Sequence, residues 1–380
     1  MKKRNEFLSY GRQSIDEEDI QMVIETLRSP FLTQGPKIKE FEQAIANYVG
    51  AQYAVAFCNG TAALHAACYA AGIGEGDEVI TSPITFAASA NCVRYMGGTV
   101  VFADIDARTY NIDPTEIRKK ISSKTKAIIP IDFTGQPADL DAINAIAREH
   151  NLVVIEDGAH SLGAEYKGKK VGIQADMTMF SFHPVKPITT TEGGIIVTNN
   201  KEYYKKLQLF RSHGIEQTEY SSEQGDWYYE MTDLGYNYRM TDLQAALGLS
   251  QLTKIDAFIQ KRREIADFYT EAFQDENRIV VPQQLHETNS GWHLYMIQLE
   301  KESRKEIFGK MRSMNIGVHV HYIPVYWHPY YQKLGYERGL CPIAENWYEK
   351  ALTLPIHPQM TIEDLAIIVS NIKELLNQPK

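Results

Sequence analysis

With 380 residues, 44% hydrophobic and 23% charged, the chain is long enough for two domains around a large core and has the composition of an ordered globular protein. A formal net charge of -9 gives no general attraction to phosphate backbones, which argues against a nucleic acid partner. No run reaches the roughly 18 apolar residues of a membrane span, no apolar leader follows Met1-Lys2-Lys3-Arg4, and the four cysteines show no CxxC spacing, so a cytoplasmic protein without membrane partner, disulfide framework or structural metal is expected.

In chain order, Ser14-Ile15-Asp16-Glu17-Glu18-Asp19 opens a first helix in a capping-box-like pattern, with Ile20, Val23, Ile24 and Leu27 at helical spacing. An irregular loop, Phe31-Leu32-Thr33-Gln34-Gly35-Pro36, leads to a second helix marked by Ile38, Phe41, Ile45 and Tyr48. Apolar strands are then predicted at Ala54 to Phe57, Glu78 to Thr81, Thr99 to Phe102, Ala127 to Ile131, Leu152 to Ile155, Met177 to Phe180 and Ile195 to Val197, with helical periodicity between the first five. Seven strands with helical crossovers imply an α/β fold built on a mostly parallel, helix-covered sheet. Beyond it, helices over Leu243 to Leu249 and Lys254 to Phe273, a strand at His293 to Leu299, a helix at Lys305 to Met314, a strand around Val318 to Tyr322 and a terminal helix at Ile362 to Leu376 suggest a smaller α+β domain. The expected division is a large domain over 1–253 and a small one over 254–380.

No GxGxxG comes after the first strand and no GxxxxGK[ST] occurs, which removes the usual support for dinucleotide and P-loop readings. The first strand runs instead into Asn59-Gly60-Thr61-Ala62-Ala63, a turn opening a helix whose N-terminal amides suit an anion such as a phosphate; an ordinary capped helix gives the same pattern. Phe86 lies just beyond the second strand, where its ring is placed to stack on a planar heteroaromatic group or simply to pack. The fifth strand runs into Glu156-Asp157-Gly158-Ala159-His160, and the sixth into Ser181-Phe182-His183-Pro184-Val185-Lys186 ahead of Glu192-Gly193-Gly194. If those strands are parallel neighbours, Asp157 and Lys186 emerge on one sheet edge, where such sheets bind ligands. A lysine able to form a Schiff base, opposed by a carboxylate able to hold a pyridinium nitrogen, is the pairing that pyridoxal phosphate chemistry needs. His319 and His321 alternate on one face, but two histidines do not make a metal site.

These motifs, with Gly235-Tyr236-Asn237-Tyr238-Arg239-Met240 and His321-Tyr322-Ile323-Pro324, resemble the DegT/StrS-type sugar-nucleotide aminotransferases, pyridoxal phosphate enzymes of fold type I, over nearly the whole chain. The resemblance implies pyridoxal 5'-phosphate as cofactor, with Lys186, Asp157 and His160 as catalytic residues. Gly60, Thr61, Phe86, Ser181 and, from a neighbouring subunit, Asn237 would complete the cofactor site, so that a homodimer carries composite active sites. Substrate contacts are implied for Tyr10, Phe31, Leu32, Thr33, Gly60, Ser181, His183, Asn237, His321, Tyr322, Ile323 and Pro324. The Leu32–Pro36, His183–Thr190 and His321–Tyr326 segments are most similar to members that use L-glutamate to aminate C4 of a UDP-linked 4-keto-6-deoxy-N-acetylhexosamine in pseudaminic acid biosynthesis. His160 stands where many relatives carry glutamine, and Tyr326 where many carry histidine. Amination at C3 or of a dTDP- or GDP-linked sugar remains an alternative. A pyridoxal-dependent dehydratase, whose relatives replace the lysine by histidine, fits less well. A non-catalytic regulator binding cofactor or sugar nucleotide is the reading from another class.

Overall fold

Parallel strands covered on both faces read as short continuous runs of Val, Ile and Ala, and in the computed structural model all seven predicted runs pair into a single sheet. The structure describes residues 1–299 and 301–377. The strands are β1 (Tyr53–Phe57), β2 (Glu78–Thr81), β3 (Thr99–Phe102), β4 (Thr125–Ile129), β5 (Val153–Asp157), β6 (Met177–Ser181) and β7 (Gly194–Thr198), in the spatial order β1-β7-β6-β5-β4-β2-β3. β7 alone runs against the rest, pairing antiparallel with both β1 and β6. The carboxyl ends of β1, β2, β4, β5 and β6 therefore open on one edge, the edge at which β7 begins.

Four helices set up this edge. α1 (Glu17–Leu27) is capped by Asp16, whose carboxylate accepts from the amides of Glu18 and Asp19 while Asp19 reaches back to the Asp16 amide, so the capping box starts two residues after Ser14. α2 (Pro36–Val49) ends on Gly50 in the left-handed conformation that glycine adopts without strain. α3 (Gly60–Ala70) is rich in buried alanine, which lets it lie close against the sheet, and α4 (Ala88–Tyr95) follows β2. Later, α5 (Asp242–Leu252) turns at Thr253–Lys254 into the long α6 (Ile255–Phe273). We propose that turn as the boundary between the domains 1–253 and 254–380.

The C-terminal part pairs β8 (Ile279–Val280), β9 (Tyr295–Leu299) and β10 (Ala351–Leu354) antiparallel and packs them against α6, α7 (Lys301–Ser313) and α8 (Ile362–Leu376). Its core joins Ile265, Tyr269 and Phe273 to Tyr295, Ile297, Leu352, Ile368 and Ile372, each worth about 1.5–3 kcal/mol on burial. The strand expected around Val318 to Tyr322 is not one. Its hydrogen bonds are split: Gly317 donates to the Leu8 carbonyl, Val318 to that of Ile316, and His319 exchanges bonds with Thr353 of β10, so no ladder forms. Two successive partners, each making a single bridge, stand in place of the strand that the alternating sequence predicted.

Candidate active site

β5 and β6 are adjacent and parallel, with Asp157 paired to Met179, so the loops leaving both strands share one edge. The 182–193 loop folds back on itself through Phe182 N–H to Gly193 O (2.9 Å), Thr190 N–H to Phe182 O (3.0 Å) and Lys186 N–H to His183 O (2.9 Å). This hairpin-like closure returns the chain to β7 and leaves Lys186 facing a cavity of about 660 Å³. Asp157 lines the same cavity and is only 5% exposed.

Burial pulls the Lys186 amine down to about 8; the buried Arg262 guanidinium adds to this and Asp157 opposes it. Burial also raises the Asp157 carboxyl, against hydrogen bonds from Ser89 Oγ to Oδ2 (2.6 Å) and from the Ala159 amide to Oδ1 (3.1 Å), and against the Lys186 charge. Lysine and aspartate thus face one another with the amine within reach of neutrality and the carboxylate fixed at both oxygens.

The β1–α3 turn forms a second wall. Asn59 caps α3 by accepting from the Ala62 amide, which leaves the first helical amides, those of Gly60 and Thr61, without partners inside the helix. Ser181 lies beside them, since a Cβ added at Gly60 would sit 3.4 Å from its Oγ. Gly194 is what allows β7 to start here: a Cβ on it would meet the Asn59 carbonyl oxygen at 2.6 Å, inside any real contact, and that neighbour is backbone. Gly194→Ala is expected to destabilise the fold by about 1–3 kcal/mol and to displace the Asn59–Gly60 turn, measured as a fall in Tm together with weakened cofactor retention.

His160 is 5% exposed, with no partner for Nδ1; its ring lies 4.4 Å from that of His293 and nearly parallel to Tyr322 at 6.3 Å. Burial, Lys186 and His321 push its pKa well below the ordinary range, so the ring stays neutral. Tyr10 packs on His319 and His321 at ring distances of 5.2 and 4.9 Å, and His321 Nδ1 lies 2.9 Å from Thr353 Oγ1. His319 and His321 do share a face, stacked 4.5 Å apart, yet no group of three potential metal ligands exists among the described residues. Phe86 stands 63% exposed beside the cavity.

The fold therefore brings Tyr10, Gly60, Thr61, Phe86, Asp157, His160, Ser181, His183, Lys186, His321 and Tyr322 to one cavity. It does not bring Phe31, Leu32, Thr33, Asn237, Ile323 or Pro324 to the cavity lining of this chain. Leu32 accepts from the Asp242 amide and Thr33 bridges Thr241, so the Phe31–Thr33 loop lies beside the segment that comes after Asn237. Sequence reasoning did not assign Ser89, Glu192 or His293 to the site. Ser89 had one available signal, a hydroxyl on a face of α4 that is otherwise Ala, Cys and Val; His293 had none.

The sequence profile of the DegT/DnrJ/EryC1/StrS aminotransferase family matches residues 13–373. Among curated relatives, the chain is 42% identical to the spore coat polysaccharide biosynthesis protein SpsC of Bacillus subtilis, over 99% of both chains. It is 40% identical to a UDP-4-amino-4,6-dideoxy-N-acetyl-β-L-altrosamine transaminase of Campylobacter jejuni, over 98% of both. Among solved structures, it is similar to Helicobacter pylori PseC, an aminotransferase involved in the biosynthesis of pseudoaminic acid, with TM-score 0.92 and 34% identity over 97% of this chain and 99% of that one. The PLP form of the putative sugar aminotransferase Spr1654 from Streptococcus pneumoniae matches with TM-score 0.91 and 32% identity, over 97% and 98%.

Proposed function

The chain belongs to the DegT/DnrJ/EryC1/StrS aminotransferase family, and from that premise we propose that it moves an amino group from L-glutamate to C4 of a UDP-linked 4-keto-6-deoxy-N-acetylhexosamine, giving UDP-4-amino-4,6-dideoxy-N-acetyl-β-L-altrosamine. It is a sugar aminotransferase and uses pyridoxal phosphate. The observation that carries this reading is Lys186 facing Asp157 from the ends of two adjacent parallel strands. The C4 and UDP assignments draw their support from the Campylobacter and Helicobacter relatives.

The residues present suit the cofactor. Asp157 is a buried carboxylate whose pKa burial raises, and a protonated ring nitrogen would set a cation against it. The Gly60–Thr61 helix start with Ser181 suits a phosphate, and the free Nδ1 of His160 suits a ring oxygen. When bound, pyridoxal phosphate supplies an aldehyde that takes up an amino group and a ring that accepts the electrons released on deprotonation.

Lys186 anchors the cofactor through its amine and, once released, carries the proton to and from the reacting carbon; burial keeps enough of it neutral near pH 7 for that task. Asp157, oriented by Ser89 and the Ala159 amide, holds the proton at the ring nitrogen. Phe86, which lines the same cavity, would cover the ring, while Tyr10, His183, His321 and Tyr322 would border the sugar nucleotide.

A second copy of the chain completes the site in this reading. Support comes from the adjacency of the Phe31–Thr33 loop to the Asn237–Asp242 segment, and from the large exposed apolar side chains beside them, Leu27, Phe31, Leu32 and Leu234. Asn237→Ala is expected to weaken cofactor retention about tenfold. Mixed in equal amounts with inactive Lys186→Ala subunits, it should recover about a quarter of wild-type turnover, because half the dimers then hold one intact site; verified mixed dimers without activity would refute the composite site.

The function is tested by incubating the enzyme and L-glutamate with UDP-, dTDP- and GDP-linked 4-keto and 3-keto sugars and assigning products by NMR. Amination at C4 of the UDP-linked sugar is the expected result. The likeness to SpsC favours a second reading, amination of another nucleotide-linked keto sugar, which the same panel would reveal.

A further inference from the structure

Arg262 lies on α6 with 1% of its surface exposed. A guanidinium so deeply buried is ordinarily matched by a carboxylate, because an unpaired charge in the interior is costly. Among the described residues Arg262 has no such partner: Nη1 donates to the backbone carbonyls of Ile356 (2.9 Å), His293 (3.3 Å) and Trp292 (3.5 Å), and Nε has no partner. Its neighbour Arg263 is only half-buried and holds the outer part of the same segment, the carbonyls of Ser290 (3.1 Å) and Asn289 (3.4 Å).

The carbonyls that Arg262 gathers belong to two walls of the cavity. His293 lines it directly, 3% exposed, and follows Trp292, whose φ of 44° is the left-handed conformation a bulky residue adopts only when its surroundings hold it there. Ile356 donates its amide to the carbonyl of Tyr10 (2.9 Å), and Tyr10 lines the cavity from the other side against His319 and His321. A single cation thus fastens the His293 turn to the Tyr10 segment, which are far apart in sequence.

We propose that Arg262 is a positioning residue of this active site: its guanidinium clamps the His293 turn to the Tyr10 segment and leaves there a buried cation with no carboxylate partner among the described residues. The inference rests on the assignment of Lys186 as the reacting amine. Lys186 shares the cavity with Asp157 from β5, with His160 from the loop after it, with His183 and Glu192 from its own loop, and with Tyr10, His293, His321 and Tyr322; burial keeps His160, His293 and His321 neutral, and of the two carboxylates Asp157 is the one whose charge acts on the amine. Arg262 is the cation that works against Asp157, disfavouring protonation of Lys186 and of His293 alike. Removing it leaves Asp157 unopposed, so the Lys186 amine should hold its proton to higher pH.

The test uses the full-length protein stripped of cofactor, in which the pH dependence of acetic anhydride labelling at Lys186, read by peptide mass spectrometry, reports the amine's titration. Arg262→Met should move that titration upward by up to about one pH unit, and in the reloaded enzyme should raise KM for the keto sugar about tenfold through the loosened walls. Arg263→Met serves as control and should leave the titration in place. A folded Arg262→Met protein with unshifted titration and unchanged KM would overturn the proposal. If Arg262→Met does not fold, Arg262→Lys decides: a lysine keeps the charge, but its shorter side chain falls short of the three carbonyls that Nη1 reaches, so a raised KM with unmoved titration supports the clamp, whereas a lower Tm with both quantities unchanged reduces Arg262 to a structural role. The labelling needs no substrate, so a wrong choice of sugar shows itself separately, as wild-type enzyme inactive on the panel with its Lys186 titration intact.

Discussion

Lys186→Ala is expected to yield a folded protein that still binds pyridoxal phosphate, but without covalent attachment, and whose turnover falls by at least ~10³-fold. The loss is large because one amine is assigned two tasks, anchoring the cofactor and moving the proton, and no other lysine among the described residues lines the cavity. The histidines nearest to it are poor substitutes. His160, His293 and His321 are all driven well below the usual imidazole range by burial, so as bases they are weak. Stability should change little, since the removed group is a buried amine already disfavoured in its charged form. The measurements are the visible absorption of the bound cofactor, retention through gel filtration, and steady-state transamination. Turnover within tenfold of wild type would remove Lys186 from the mechanism.

Asp157→Asn should cost on the order of 10²–10³-fold in kcat while leaving the fold and the site's outline in place. The amide can keep both existing contacts, accepting from the Ala159 amide through its oxygen and donating to Ser89 Oγ through its nitrogen. It lacks the negative charge proposed to hold a proton on the ring nitrogen. Asp157→Ala should be worse on both counts, because it also removes the acceptor at 2.6 Å of the buried Ser89 hydroxyl, which is left with Thr85 Oγ1 at 2.8 Å and the Phe86 carbonyl at 3.4 Å. Single-turnover reaction with L-glutamate separates the effects: the asparagine protein should bind cofactor nearly normally and react slowly, whereas the alanine protein should also release cofactor. Equal rates for wild type and Asp157→Asn would mean that the carboxylate only shapes the site.

Much of the sheet edge that opens on the candidate site was legible in the sequence. The runs Val153 to Asp157 and Met177 to Ser181 announced buried strands through continuous apolar residues, and a residue just beyond a parallel strand lies at the sheet's binding edge whatever the surroundings. That is why Asp157 and Lys186 were found from spacing, and why Gly60, Thr61 and Ser181 joined them. The expected strand at Val318 to Tyr322 shows the limit of the same reasoning: alternation predicted a strand, but Leu8 and Thr353, each more than 30 residues away, divided its hydrogen bonds.

Residues that act through distant partners left no such signature. Arg262 sits within Lys261-Arg262-Arg263 on an amphipathic helix, a run that reads as a solvated face, yet its side chain is buried among the carbonyls of Trp292, His293 and Ile356. His293 became a wall of the cavity because the 290–294 turn bonds to Gly135 and Thr134 after the strand-end loop of β4. Local periodicity encodes which face of an element is buried, since burial of that face stabilises the element on its own terms. Which buried faces meet is settled only by packing across the whole chain, so the sequence by itself determined the sheet, its binding edge and the lysine–aspartate pair, while the tertiary structure decided the neutral histidine wall, the Ser89 support of Asp157 and the buried cation behind them.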